Sequence, residues 1–109
     1  QAWRPAADVF ETEDQVVVII DIASISEKDL SIALENDTLI VRGIRRELSG
    51  FRKRHYHKME IDFGPFERVI KLPCLVADKE VKAKYKNGFL EIRLQKMISE
   101  RCEIKIQIK

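Results

Sequence analysis

No apolar run in this 109-residue chain is longer than five residues. The longest, Val16 to Ile20, is far short of the ~18 residues that cross a bilayer as a helix. No stretch at the start has the basic, apolar, small-residue order of a secretory signal, although the chain opens on Gln1 rather than Met. Cysteine is scarce. Cys74 and Cys102 lie far apart and form no C-x-x-C pair, so two free thiols of a cytoplasmic protein are expected. Glycine is also scarce, and Gly43, Gly50, Gly64 and Gly88 spell neither GxxxxGK nor GxGxxG. No phosphate cradle is therefore legible. The net charge is only +2, too small by itself to imply a polyanionic partner. No segment holds a sustained 3.6-residue apolar period, and there is no internal repeat.

What is present is alternation. Hydrophobic residues make up 45% of the chain and charged residues 35%, which suits one folded, highly charged domain with a modest core. Ala6–Glu13 reads as a short extended stretch. Gln15–Ala23 is apolar on both parities up to Ile20, as expected of a strand buried on both faces. Leu30, Ile32 and Leu34 alternate with polar or small residues, "END" makes a turn, and Thr38–Ile44 is the next strand. Val81, Ala83 and Tyr85 alternate with lysines, and Leu90, Ile92 and Leu94 alternate with charges. Between those last two segments, Asn87-Gly88 is the strongest short hairpin signal, because a type I′ turn needs positive φ at both central residues. "SISEKD" predicts one helical turn capped by Ser26. Short strands at regular spacing predict an all-β, two-sheet antiparallel sandwich.

Two segments do not fit a self-contained sandwich. The connection from Arg45 to Phe63 is too long for a simple turn, and Phe51–Glu60 inside it reads as an extra strand held off the body. The chain ends on "EIKIQIK", where Ile104, Ile106 and Ile108 form one apolar face and nothing follows to pair with it.

The residues offer little to catalysis. His55 and His57 would share one face of a strand, but a structural zinc takes four ligands, so a solvated or interface pair is the simpler reading. Cys74 in "LPCLV" has apolar neighbours and no polarising base, as a small packed residue would. Asp78 and Glu80 read as loop charges. No enzyme activity, metal or cofactor is expected. The basic run at Arg45-Arg46 and Arg52–Lys58, interleaved with Tyr56, is conceivable as a nucleic-acid contact. Glu47, Glu60 and Asp62 flank it, and a charged strand edge that discourages indiscriminate pairing explains it as well. Neither a nucleic-acid nor a membrane partner is expected. Arg68 shares a parity with Phe66, Ile70 and Leu72, so it either reaches a carboxylate or a subunit boundary, or snorkels to water.

Taken together, "EIDFGPFERVIKLP" and "VKAKYKNGFLEIRLQK" resemble the small heat-shock proteins, which share the alpha-crystallin domain. The matching residues are Glu60, Gly64, Phe66, Arg68, Leu72, Pro73, Ala83, Asn87, Gly88 and Leu90. "WRPAADVFETED" is similar to the start of the bacterial-type domain, and the resemblance covers nearly the whole chain. Ala23-Ser24 stands where bacterial members often have Pro-Gly, Gln95-Lys96 replaces a common Pro-Lys, and Phe89 replaces a frequent Val.

The resemblance implies an immunoglobulin-like sandwich over 1–96 and a C-terminal extension over 97–109. It implies an ATP-independent holdase whose partners are non-native client proteins and other copies of itself, as homodimers and larger homo-oligomers. The long loop, about 45–63, would carry a strand, Phe51–His57, that crosses to a second copy and pairs with Trp3–Phe10. Phe51, Arg52, Arg54 and Tyr56 would be the donors' residues and Trp3 and Val9 the acceptors', with Arg68 at the dimer boundary. The tail isoleucines Ile104, Ile106 and Ile108 would dock in a groove between two edge strands, lined by Ile32, Leu34, Val81 and Ala83. Their spacing allows two overlapping Ile-x-Ile registers. The family's variable arm precedes Trp3, so a chain beginning near Gln1 is expected to form dimers with reduced chaperone activity. The alternative is an adaptor or co-chaperone sandwich that binds a folded partner and holds no unfolded ones.

Overall fold

The computed structural model describes residues 2–53 and 55–97. Seven strands run in chain order: β1 (Ala7–Glu11), β2 (Gln15–Asp21), β3 (Leu30–Glu35), β4 (Thr38–Arg45), β5 (Gly64–Lys71), β6 (Val76–Lys86) and β7 (Phe89–Lys96). They form two antiparallel sheets, β1-β2-β7-β6 and β3-β4-β5. This is the two-sheet sandwich that the alternation predicts.

The turns follow from residue chemistry. Asn87 (φ 54°) and Gly88 (φ 83°) both lie in the left-handed region and join β6 to β7 as the type I′ turn requires. Asn36 (φ 57°) does the same for the turn between β3 and β4. The "SEKD" turn is a single 3₁₀ turn, Glu27–Asp29, preceded by Ser26, whose side chain makes no capping hydrogen bond.

The core lies between the sheets. Val16, Val18 and Ile20 of β2 and Leu90, Ile92 and Leu94 of β7 meet Leu39 and Val41 of β4 and Phe66 and Ile70 of β5. Ile22, Ile25, Leu72 and Val76 close the ends. Val17 is buried although it points to the opposite face of β2 from Val16 and Val18, as the double-parity run predicts. At one position the packing leaves no room for a side chain: a Cβ on Gly43 would lie 2.5 Å from the Phe66 ring and 2.7 Å from the Asp29 carbonyl oxygen.

Three features depart from the sequence reading. β6 begins five residues earlier than its alternation suggests. Its register slips between Val76 and Val81, so Val76 faces Lys96 while Val81 faces Leu94. A bulge with charged residues interrupts the period of two that locates a strand. Trp3 lies outside β1 and forms a parallel bridge with Phe66. Cys74, expected as a free thiol, is disulfide-bonded, while Cys102 lies outside the described residues. Spacing in sequence carries no information about which cysteines meet in space.

Candidate functional site: the sheet edges and the groove between them

The sandwich leaves edges, and each is handled differently. The edge of β5 is taken by the N-terminal segment. Trp3 N–H donates to the Pro65 carbonyl (3.1 Å), Glu67 N–H donates to the Trp3 carbonyl (3.1 Å), and the indole Nε1–H donates to the Gly64 carbonyl (3.2 Å). The indole also packs on Phe66, with ring centroids 5.5 Å apart.

The edges of β3 and β6 face one another across the opening of the sandwich. Leu30, Ile32 and Leu34 point inward from β3 and are half-buried. From β6, Val81 and Tyr85 are half-buried and Ala83 is exposed. Leu30, Ile32, Ala83, Tyr85 and the buried Leu90 line one depression, rimmed by Glu27 and Lys84. Leu34 lines a second with Val76, Ala77 and Met97, next to the β6 bulge. Tyr85 fixes one end. Its hydroxyl donates to the Ile22 carbonyl (2.7 Å) and accepts from Ile25 N–H (3.2 Å). Of the four groove residues expected from sequence, Ile32 and Ala83 line the first depression and Leu34 the second, while Val81 is half-buried on the same edge and lines neither of the two. Leu30 and Tyr85, which the sequence reading did not include in the groove, line the first as well.

The loop from residue 46 to 63 forms no strand among its described residues. Its apolar side chains are largely open to water: Leu48, Phe51, Met59 and Ile61 are each about 70% exposed, and Tyr56 is exposed too. Arg52 is likewise exposed, and Arg54 lies outside the described residues. So do Ile104, Ile106 and Ile108. Val9 on β1 is exposed, on a strand whose outer edge pairs with nothing else described.

The loop is fastened at its base. The Arg45 guanidinium donates to the Asp62 carbonyl through Nε (2.9 Å) and through NH2, and lies 4.4 Å from the Trp3 ring centroid and 5.6 Å from that of Phe63. Arg46 makes a bidentate pair with Asp29 at 3.1 and 3.0 Å. Within the loop, Lys53 pairs with Glu47, and the Tyr56 hydroxyl donates to the same carboxylate. These partners hold the Asp29 and Glu47 carboxyls below their ordinary range, chiefly through hydrogen bonds from Arg46 and Lys53. In the sequence Arg45 stands out only as part of a basic run. The "GIRR" stretch at the end of a strand was the available signal, but its aromatic partners come from residues 3 and 63.

Arg68 lies on the core-facing side of β5. Its NH1 donates to the Pro5 carbonyl (2.8 Å), while its Nε is buried without a partner. It thus reaches a backbone oxygen of its own N-terminal segment. Lys96 is the other inward cation. Its Nζ donates to the carbonyls of Thr12 (2.9 Å) and Glu13 (3.3 Å) and lies 2.8 Å from the Glu11 carboxylate.

Among the described residues no group of three or more His, Cys, Asp or Glu could hold a metal ion. No described helix is long and apolar enough to cross a membrane. The described residues thus present exposed sheet edges, apolar depressions between two of them and a loop with exposed apolar side chains. A profile of the Hsp20/alpha crystallin family matches residues 8–109, and the chain belongs to that family of small heat shock chaperones. Small heat shock protein C2 of Rickettsia felis is 30% identical over 105 residues, covering 96% of this chain and 68% of that protein. Spore protein SP21 of Stigmatella aurantiaca is 33% identical over 87% of this chain and 56% of its own length. Heat shock protein 42 of Saccharomyces cerevisiae is matched over only 27% of its length. The chain thus spans from about two thirds to about a quarter of these relatives. Among solved structures, hspA of Xanthomonas axonopodis superposes with a TM-score of 0.78 at 27% identity, over 89% of this chain and 97% of that one. A small heat-shock protein of Xylella fastidiosa, described as having a distinct high order structure, superposes at 0.77 and 25% identity, over 100% and 99%.

Proposed function

We infer that this chain is an ATP-independent holdase that captures extended segments of non-native proteins and keeps them from aggregating. The observation that carries this reading is the apolar groove between the β3 and β6 edges. Two edges that are unpaired among the described residues offer backbone hydrogen bonds to an added strand, and the side chains between them offer apolar contact. An unfolding protein exposes both kinds of group at once. Nothing in such binding requires a nucleotide.

The same groove suits the tail of another copy. Leu30, Ile32 and Leu34 on one edge and Val81, Ala83 and Tyr85 on the other give three apolar positions per edge, spaced every second residue. Ile104, Ile106 and Ile108 repeat that spacing. Burying each isoleucine is worth roughly 1.5–3 kcal/mol. Ordering the residues from 97 onward offsets part of this, so single tails bind weakly and assemblies gain by avidity. Clients and tails would compete for one site.

Dimers would form by exchange of the arm. Phe51, Arg52, Arg54 and Tyr56 of one copy would lie along β1 of the next, beside Val9. This would cover apolar side chains that the single chain leaves in water. Trp3 would support β1 from its place on β5, and Arg68 would fix the segment leading into β1 through Pro5. Residues 1–96 form the domain in this reading, and 97–109 form its extension.

The test is aggregation of an unfolding client, followed by light scattering without ATP. Suppression at near-equimolar ratio is expected. No suppression at any ratio would contradict the reading.

A further inference from the structure

The four-stranded sheet has two edges, β1 and β6, and they carry opposite charge. The eight residues 7–14, β1 and the turn after it, contain Asp8, Glu11, Glu13 and Asp14 and no basic residue. The end of β6, 81–86, contains Lys82, Lys84 and Lys86 and no acidic residue. The eight residues 51–58 of the arm contain Arg52, Lys53, Arg54 and Lys58 and no acidic residue. The three segments are therefore −4, +3 and +4 in formal charge; Glu11 already faces Lys96 and Lys53 faces Glu47 within the chain, which leaves −3, +3 and +3 toward a partner. Asp8, Glu13 and Asp14 are exposed, as are the three β6 lysines and, in the arm, Arg52, Lys53 and Lys58.

We propose that charge selects the edge: the arm of a second copy is drawn to acidic β1 and turned away from basic β6. The proposal rests on the exchange reading above and adds what exchange alone does not supply. Backbone hydrogen bonding and exposed apolar side chains are available at both edges, so neither tells the arm where to go. Complementary potentials raise the rate of productive encounter and suppress the wrong pairing by like-charge repulsion. Lysines along an edge strand are a recognised barrier to indiscriminate pairing. Here the barrier leaves β6 to the less basic tail "EIKIQIK", which carries Glu103 against Lys105 and Lys109. The occupant of β1 is thus another copy of this chain.

The interactions are at the surface, so salt screens them. The dimer constant of the unmodified chain, measured by sedimentation, should weaken about tenfold between about 0.05 M and about 0.5 M salt. Two charge-reversed chains then test the pairing. One carries Arg52→Glu, Arg54→Glu and Lys58→Glu in the arm, which takes it from +4 to −2. The other carries Asp8→Lys, Glu13→Lys and Asp14→Lys in β1 and its turn, which takes that segment from −4 to +2. Each alone opposes like charges and should dimerise at least tenfold more weakly at low salt, with unchanged circular dichroism. Mixed together they oppose unlike charges at both arm–β1 contacts, and the dimer should return. Dimer constants indifferent to both salt and reversal, or a mixture that fails to recover, would overturn the proposal.

A photo-crosslinker in place of Phe51 separates this from failure of the exchange itself. A product joining one copy's arm to another's residues 7–11, without salt dependence or charge rescue, would leave exchange standing and remove the role of charge. A product mapping to β6, or no product between copies, would overturn both.

Discussion

The guanidinium of Arg45 lies 4.4 Å from the centroid of the Trp3 ring, while two of its nitrogens donate to the carbonyl of Asp62. One side chain thus ties the end of β4, the far end of the arm and the N-terminal segment that covers β5. Trp3 is the chain's one tryptophan, so its fluorescence reports this node without ambiguity. Arg45→Ala should shift the emission to longer wavelength and cost about 1–3 kcal/mol of stability through the lost cation–π contact and charge-assisted hydrogen bonds. Arg45→Lys should retain part of the ring contact and lose the paired donation. Unchanged emission in both would place the Trp3 environment under other control.

Gly43 should be nearly intolerant of a side chain. A methyl group there meets the Phe66 ring and a backbone carbonyl, both well inside contact distance. Phe66 is itself buried and backed by Trp3. Gly43→Ala should therefore destabilise the domain by about 1–3 kcal/mol, the usual range for overpacking. Denaturant unfolding checks it, and a midpoint equal to the parent's would contradict the packing described.

Lys96 should matter more than a lysine usually does. Its side chain is only 2% exposed, and its ammonium holds two carbonyls of the β1–β2 turn together with Glu11. Lys96→Met keeps much of the apolar stem but strands those acceptors. A loss of about 2–4 kcal/mol is expected. Faster amide exchange in the turn residues 12–14 should accompany it, since the turn would keep its Thr12–Gln15 hydrogen bonds and the Lys96 N–H to Asp14 bond but lose the ammonium that gathers its carbonyls.

The arm's ion pairs set a pH window. Glu47 is held below its ordinary value of 4.5 by the hydrogen bond from Lys53, and Lys53 is raised above its ordinary 10.5 by the same contact. A depressed carboxyl contributes above its ordinary value, and the contribution is lost as pH falls through the folded value. A raised amine contributes below its ordinary value and is lost as pH rises through the folded one. These two groups should therefore leave the arm's conformation unchanged across neutral pH and release it below the ordinary carboxylate range and again above the ordinary lysine range. An NMR titration of the Glu47 carboxyl checks this. A midpoint at or above 4.5 would show that the Lys53 contact does not persist in solution.

Most of the scaffold was legible because it rests on local chemistry. The Asn87-Gly88 turn, the doubly apolar β2 and the alternating β3 and β7 each announce themselves within a few residues. What escaped depends on partners distant in sequence. Arg45 looks like any basic residue until Trp3 and Phe63 close around it. Trp3 looks like the start of a strand until β5 offers it a parallel bridge. The β6 bulge hides a strand start behind Asp78, Lys79 and Glu80, and nothing near Cys74 foretells a disulfide. The groove was partly visible, since Ile32, Leu34, Val81 and Ala83 share inward parities. Leu30 and Tyr85 share those parities, but their place in the groove follows only once β3 and β6 face each other across the sandwich.

The central claim is that the groove between β3 and β6 binds extended apolar chain. It is tested most directly by light scattering of an aggregating client, without nucleotide, with the parent chain and with a variant carrying Ile32→Asp and Ala83→Asp. Both sites lie at the rim of the core rather than within it, and circular dichroism confirms the fold of each chain beforehand. The parent should suppress scattering. The variant should lose most of that protection, and a peptide of sequence EIKIQIK in excess should weaken the parent in the same way. Equal protection by parent and variant, undiminished by the peptide, would contradict the claim.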